Sequence, residues 1–256
     1  MAEARIIAVC GKGGVGKTSV SALMVSLLAR NGHGKILAID ADPAVGLATS
    51  LGISVRKTVD DIRKDLIAQI QKGDAPGNRQ TLELLDYEIF DALQEQNGYA
   101  LLAIGRPEDE GCFCRVNNLL KDIIADLAHR FDIVLIDGEA GIEQINRRVM
   151  KTVNHLVLVS DTSAKGINVA NAIALVAGER KAVDYRDIGL VLNRVRSEEE
   201  ARDIGSRTRL EVYGWIADDE DIRDFDFRGA PLTGIPDSSP ALVTVSDIMR
   251  KLRLIP

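Results

Sequence analysis

Short apolar runs rich in β-branched residues alternate along this chain with longer segments in which apolar residues recur every three or four positions. The short runs are Arg5–Cys10, Lys35–Asp40, Ile133–Asp137 and Ile188–Asn193. Continuous apolar runs of this length are typical of buried parallel strands, because helices cover such strands on both faces. The alternation therefore predicts an α/β fold, with a mostly parallel sheet covered by helices on both faces.

The longer segments are predicted to form helices. They are Ser19–Arg30, Val116–Arg130, Glu143–Thr152, Gly166–Lys181, Glu198–Thr208 and Thr244–Leu252. The stretch 55–99 is more polar and contains the turn-forming sequence G-D-A-P-G-N at 73–78, so we expect helical and loop decoration there. With 256 residues, of which 46% are hydrophobic, the chain has enough apolar surface for one core. We expect a single domain over 1–256.

Charge and hydropathy limit the classes of partner. The formal net charge of −6 argues against non-specific binding to nucleic acid. No apolar run approaches the ~18 residues of a membrane-spanning helix, and the amphipathic segment Ser246–Leu254 is better explained as a closing core helix than as a membrane anchor. The N-terminus lacks the pattern of a signal peptide, and three cysteines without one favour a reducing compartment. We expect a cytoplasmic protein without stable membrane association.

The sequence between the first strand and the first helix carries the clearest chemistry. Residues 11–18 read G-K-G-G-V-G-K-T and fit the phosphate-loop pattern G-x-x-x-x-G-K-[ST]. Glycines let backbone N–H groups wrap round an anion, and the following helix points its positive end at the same phosphates. Lys17 is expected to reach the β- and γ-phosphates, and the Thr18 hydroxyl to ligate Mg²⁺. The expected nucleotide contacts in this segment are Gly11, Gly13, Gly14, Val15, Gly16, Lys17, Thr18 and Ser19.

Lys12 distinguishes this loop from an ordinary phosphate loop. With it the sequence resembles the deviant Walker A ATPases, the superfamily of the nitrogenase iron protein and the MinD-type positioning ATPases. In that superfamily two nucleotides lie between two chains, and the lysine that matches Lys12 reaches the partner's phosphates. The resemblance implies a homodimeric P-loop ATPase in which Lys12 acts in trans, like an arginine finger that stabilises charge on the transferring phosphoryl group.

Two strands end in carboxylates, which is where ligands bind in parallel sheets. By the same resemblance, Asp42 matches the switch I carboxylate that positions the attacking water, so Lys12, Lys17 and Asp42 are the implied catalytic residues. Asp40 is expected to lie deeper, near the metal. Asp137 matches the Walker B aspartate that holds Mg²⁺ through water. Gly141 belongs to the segment that matches the switch II backbone, which senses the γ-phosphate.

The nucleotide base is expected near Asn193, whose amide can both donate and accept hydrogen bonds at a strand end. The run N-R-V-R at 193–196 differs from the N-K-x-D run that GTPases use for guanine, which favours adenine and hence ATP and ADP. After the next strand the family usually has a proline, where this chain has Ala217 in the run Trp215–Asp219.

Cys112 and Cys114 form a C-x-C pair just before a predicted helix. Two thiols at this spacing can converge on one soft metal ion, but a closed tetrahedral thiolate site needs four ligands. A dimer supplies the second pair by symmetry, whereas an exposed reactive pair or a redox disulfide is the alternative. Cys10, at the end of the first strand, is expected to be a small buried core residue.

The C-x-C pair, together with the Walker segments, resembles the CooC-type ATPases. These are accessory proteins that help insert nickel into carbon monoxide dehydrogenase, with relatives that serve acetyl-CoA synthase. The resemblance implies that Cys112 and Cys114 of two chains bind Ni²⁺ or Zn²⁺ at the dimer interface, that ATP gates its capture or release, and that the apo-enzyme of one of those nickel enzymes is a partner.

Two alternatives remain open from sequence. An iron–sulfur reductase like the nitrogenase iron protein holds its cluster with cysteines that lie tens of residues apart. A MinD-like positioning ATPase needs no C-x-C pair.

Overall fold

The computed structural model describes residues 4–32, 34–72, 78–106, 114–139, 149, 152–180 and 184–256, without the side chains of 78, 79, 114, 115, 179 and 180. Within these ranges eight strands form one sheet. They are β1 (Arg5–Cys10), β2 (Ile36–Asp40), β3 (Gln94–Gln96), β4 (Tyr99–Ala103), β5 (Ile133–Asp137), β6 (Thr152–Ser160), β7 (Asp184–Val195) and β8 (Glu211–Ala217). Their order across the sheet is β3-β4-β2-β5-β1-β6-β7-β8. Neighbouring strands are parallel except β3 and β4.

Helices cover both faces of this sheet. The described helices are α1 (Lys17–Arg30), α2 (Gly46–Ser50), α3 (Val59–Lys72), α4 (Asn78–Asp91), α5 (Cys114–Ala128), α6 (Ala164–Arg180), α7 (Glu198–Ser206), α8 (Glu220–Arg228) and α9 (Pro240–Lys251), with a 3₁₀ turn at Leu232–Gly234. Successive residues of β1 belong to different cores: Ile7 and Val9 pack with α1 and α9, and Ala8 with α3 to α7. The predicted mostly parallel sheet with helices on both faces is confirmed.

The prediction was incomplete at the β3–β4 edge. The stretch predicted as helical decoration holds α3 and α4 but also β3, which pairs antiparallel with β4. The run Y-A-L-L-A that forms β4 has no β-branched residue, so its pattern does not separate a strand from a helix. The predicted helix Glu143–Thr152 lies almost wholly outside the described residues, and Thr152 begins β6.

Sequence order and sheet order together place the functional loops. β1, β2, β5 and β6 are parallel neighbours, so the residues that follow their carboxyl ends gather at one edge. Asp40 and Asp137 are register partners on adjacent strands. Among the described helices, none is long and apolar enough to cross a membrane.

Candidate functional site

The phosphate-loop sequence lies between β1 and α1, where two of its glycines meet other parts of the fold. Gly11 has φ +151°, and a Cβ on it would lie 2.1 Å from the backbone oxygen of Val159 in β6. Gly16 has φ +94°, and a Cβ there would lie 2.2 Å from the Asn193 amide nitrogen. Any larger residue would clash at these positions, so the glycines allow the loop to pack directly on β6 and β7.

The N-terminus of α1 has the features of an anion site. Its N-cap is Gly16, no side chain caps the helix, and the first turn contains no acidic residue. The first N–H groups of a helix have no intrahelical acceptor, and the helix dipole favours a negative ligand there. Thr18 and Ser19 lie in this turn and are partly exposed, whereas Gly13 and Gly14 are exposed on the loop. The predicted nucleotide contacts between Gly11 and Ser19 therefore lie on the loop and the first turn of α1.

The two lysines of the loop have different surroundings. The Lys17 ammonium donates to the backbone oxygen of Lys12 at 3.3 Å, and the side chain is buried. The Lys12 ammonium lies 3.4 Å from a carboxylate oxygen of Asp161, which follows β6. Burial opposes ionisation of Asp161, but hydrogen bonds from Ser163 and the charge of Lys12 lower its pKa. Lys12 is thus held on the rim of its own loop by an ion pair.

Asp40 holds the loop that carries Asp42. Its carboxylate accepts hydrogen bonds from the backbone N–H of Asp42 at 3.2 Å and of Ala48 at 3.1 Å. Asp42 in turn accepts from the Ala44 N–H at 2.9 Å. Val45, which precedes α2, has φ +53°, a strained conformation for a β-branched residue. Asp40 lies deep beside Asp137, as expected, but both of its oxygens are occupied by backbone donors.

Asp137 is fully buried at the end of β5. One carboxylate oxygen accepts from the Ser21 hydroxyl at 2.8 Å, and the other has no hydrogen-bond partner among the described residues. Burial raises the pKa of Asp137 to about 6, against the hydroxyls of Ser21 and Thr18 and the charge of Lys17. Burial likewise raises the pKa of Asp40 to about 7. A divalent cation would offset this desolvation, and the hydroxyl and carboxylate oxygens of Thr18 and Asp137 are the hard donors that Mg²⁺ prefers.

Asn193, predicted to contact the base, lies against the phosphate loop. Its amide nitrogen donates to the Val15 oxygen at 2.8 Å, and its amide oxygen accepts from the Arg194 N–H at 3.0 Å. Near the other predicted base segment, Asp219 accepts from the Asp221 N–H and the Ser239 hydroxyl, both at 2.8 Å. Asp219 therefore caps α8 and joins it to the start of α9.

Three of the predicted site residues fall outside this description. Gly141 and Cys112 lie outside the described residues, and Cys114 begins α5 without a described side chain. In the described ranges, no group of three or more His, Cys, Asp or Glu side chains is placed to hold a metal ion. The sequence prediction missed Ser21 and Asp161. Ser21 carries a weak signal, because it is one of the few polar residues on the buried side of a mostly apolar helix, together with Lys17 and Ser26.

Comparison with known proteins identifies the family. Residues 6–232 match the CobQ/CobB/MinD/ParA nucleotide binding domain. This chain belongs to that family. It is 37% identical over 253 residues to the uncharacterized ATP-binding protein MJ0685 of Methanocaldococcus jannaschii, covering 96% of this chain and 98% of that protein. It is 28% identical over 233 residues to the carbon monoxide dehydrogenase accessory protein CooC of Rhodospirillum rubrum, covering 87% of each.

Solved structures agree with this family's fold. The MinD cell division protein of Aquifex aeolicus superposes with a TM-score of 0.68 at 23% identity, covering 99% of this chain and 98% of that one. A septum site-determining protein MinD complexed with Mg-ADP, from Pyrococcus horikoshii, also gives 0.68, at 22% identity. At these identities the likeness establishes the fold of a CobQ/CobB/MinD/ParA domain.

The contact between Gly11 and β6 predicts that one added methyl group at Gly11 lowers the stability of the protein. Gly11→Ala should destabilise the nucleotide-free protein by ~1–3 kcal/mol, because the new Cβ meets the rigid Val159 carbonyl. Gly13→Ala is the matched control, since a Cβ at Gly13 meets nothing within 4 Å. Thermal unfolding of both variants is the measurement. Equal midpoints for the two variants would show that the loop does not pack on β6.

The buried Asp137 carboxylate is predicted to lower the stability of the nucleotide-free protein at neutral pH. Its folded pKa, about 6, lies above the ordinary value, so its contribution to stability is present below about pH 4 and is lost as the pH rises through about 6. Asp137→Asn should therefore stabilise the nucleotide-free protein at pH 7 by ~1–2 kcal/mol, with a smaller gain at pH 5. Denaturant unfolding at both pH values measures this. A variant less stable than wild type at pH 7 would contradict it.

Proposed function

We propose that this chain is a Mg²⁺-dependent ATPase that acts as a homodimer and delivers a metal ion to a nickel enzyme. The observation that carries the ATPase part is the phosphate loop at the N-terminus of α1, near a buried Asp137 oxygen that has no hydrogen-bond partner among the described residues. A nucleoside triphosphate would supply the anion for the N-terminus of α1, and its Mg²⁺ would supply the cation for Asp137. The whole of 1–256 is proposed to act as one ATPase domain.

The chain's own residues suggest how hydrolysis proceeds. The loop N–H groups and Lys17 would bind and orient the phosphates, and Thr18 and Asp137 would hold Mg²⁺. When bound, Mg²⁺ neutralises charge on the phosphate oxygens. Asp42 orients and polarises the attacking water, and Asp40 keeps Asp42 in place through the backbone bond at 3.2 Å. Gly141 is proposed to sense the γ-phosphate.

Lys12 is proposed to complete the site of the partner subunit. In one chain it is paired with Asp161 at 3.4 Å, and both side chains remain about a quarter exposed, at 28% and 25%. Solvent-exposed ion pairs contribute only ~0–1 kcal/mol, so this pair opens at little cost. The partner's phosphates, which carry more charge than one carboxylate, then attract the freed ammonium. Lys12 thus makes hydrolysis depend on dimerisation.

Lys12→Gln should leave ATP binding nearly intact while lowering kcat by ~10²-fold or more, as for loss of a cation that stabilises phosphoryl transfer. ATP-dependent dimerisation should weaken as well. Asp42→Asn is the matched control, because it should lose turnover but still dimerise. Phosphate release and gel filtration with ATP measure the two properties. A Lys12→Gln variant that hydrolyses and dimerises like wild type would refute the trans role.

The cargo is proposed to be Ni²⁺ or Zn²⁺ bound by Cys112 and Cys114 of two chains. Support comes from the C-x-C spacing, which gives half of a four-thiolate site, and from the relative named as a carbon monoxide dehydrogenase accessory protein, with which 87% of this chain aligns. The proposed recipient is the nickel-free form of carbon monoxide dehydrogenase or acetyl-CoA synthase. Because dimerisation brings both thiol pairs together, ATP and metal favour the same assembly.

The purified protein should bind one soft divalent ion per two chains. Binding should release protons, because thiols with a pKa near ~8.5 ionise when they ligate. ATP and metal should change each other's affinity by the same factor. Cys112→Ser and Cys114→Ser should abolish metal binding and spare ATP binding by the monomer, with Cys10→Ser as the control that retains the metal. Equilibrium dialysis against Ni²⁺ or Zn²⁺, with oligomeric state measured in parallel, is the test.

Two results would overturn the metal-delivery role. One is a metal bound by each single chain and unaffected by either cysteine substitution. The other is a brown protein from anaerobic purification, which would indicate an iron–sulfur cluster and a redox function. ATP hydrolysis would survive both results.

A further inference from the structure

Asn193 makes two hydrogen bonds, one buried and one partly buried, that leave little freedom to its amide. Its nitrogen donates to the Val15 oxygen at 2.8 Å, and its oxygen accepts from the Arg194 N–H at 3.0 Å. The side chain is 7% exposed. The two partners fix the orientation of the amide, since a flipped amide would face a carbonyl with its oxygen and an N–H with its NH₂ group.

The end of β7 is distorted at this point. The register with β8 shifts between Leu192 and Val195, and Arg194 has φ +58°. A register shift of this kind can re-aim a side chain, and a non-glycine residue at positive φ adopts an unfavourable conformation. The backbone is therefore strained directly after Asn193, whose amide bonds to the phosphate loop.

The bond to Val15 orients a phosphate-binding group. The peptide unit between Val15 and Gly16 is planar and trans, so its C=O and N–H point in opposite directions. Asn193 holds the C=O, which fixes the Gly16 N–H on the side away from Asn193. The missing side chain of Gly16 makes room for this contact, because a Cβ there would lie 2.2 Å from the Asn193 nitrogen.

We propose that Asn193 is a positioning residue of the phosphate loop, which sets the direction of the Gly16 N–H for any nucleoside triphosphate. This inference rests on the proposed nucleotide-binding function and departs from the base-contacting role that the sequence suggested. A base-contacting amide would discriminate between bases. An amide that braces the loop acts on the phosphates, which all nucleoside triphosphates share.

The test compares ATP and GTP binding to wild type, Asn193→Asp and Asn193→Ser, by competition against a fluorescent ATP analogue with Mg²⁺. Both variants remove the amide N–H that bonds to Val15, and the serine variant does so without burying a charge. We expect both nucleotides to bind about tenfold or more weakly to each variant, as for loss of a buried hydrogen-bond partner. The ratio of ATP to GTP affinity should remain that of wild type.

Measurement well below the unfolding temperature separates positioning from stability, because a residue that only stabilises the fold would leave the affinity of the folded protein unchanged. Arg194→Gly is the control. It keeps the N–H that Asn193 accepts from and suits φ +58°, so it should bind both nucleotides within about twofold of wild type.

Three outcomes would overturn the positioning role but leave the proposed nucleotide binding intact. They are unchanged nucleotide affinity in the Asn193 variants, a changed ratio of ATP to GTP affinity, or a loss of affinity in Arg194→Gly as large as in the Asn193 variants. A wild-type protein that binds neither nucleotide would overturn the proposed function together with this inference.

Discussion

Burial of carboxylates at the carboxyl edge of the sheet is the constraint on which the rest of the site depends. Asp40 and Asp137 are register partners, and neither is exposed to solvent. Burial disfavours their charged forms and raises both pKa values. Their neighbours offset this cost in different ways. Backbone N–H groups satisfy Asp40, whereas one oxygen of Asp137 has no partner among the described residues. The first arrangement holds a loop in place, and the second leaves a buried carboxylate oxygen that could ligate a cation.

The phosphate loop is shaped from outside as well as by its own glycines. Gly11 packs on the backbone of β6, and Gly16 packs on Asn193 at the end of β7. Such close contacts leave no room for a side chain. The two glycines of the G-x-x-x-x-G pattern are therefore required by contacts with β6 and β7 as well as by anion binding. The strained residues of the site are Val45, just before α2, and Arg194, just after Asn193. Strain at these positions is consistent with selection for geometry over local stability.

Much of this arrangement was predictable from sequence, because the central strands are buried on both faces and read as continuous apolar runs. β1 and β5 were predicted with their observed ends, and the acidic residues that end β2 and β5 lie at the expected edge. The edge strand β3 was missed, since Q-E-Q has no apolar pattern and exists through pairing with β4. The hydrogen bonds of Asn193, Ser21 and Asp219 join residues tens to hundreds of positions apart, and local patterns carry no information about such pairs.

The same edge of the sheet includes β4, the strand that precedes the C-x-C pair in sequence. β4 is the strand that precedes α5, which begins at Cys114, and β4 is paired with β2. The Ile104 N–H, just beyond β4, donates to the backbone oxygen of Asp40 at 2.8 Å, while the Asp40 side chain holds the N–H of Asp42. Asp40 is thus hydrogen-bonded both to the loop that carries Asp42 and to Ile104, in the segment that follows β4. If Asp42 moves when ATP binds, Asp40 is one residue through which that movement would reach the segment after β4.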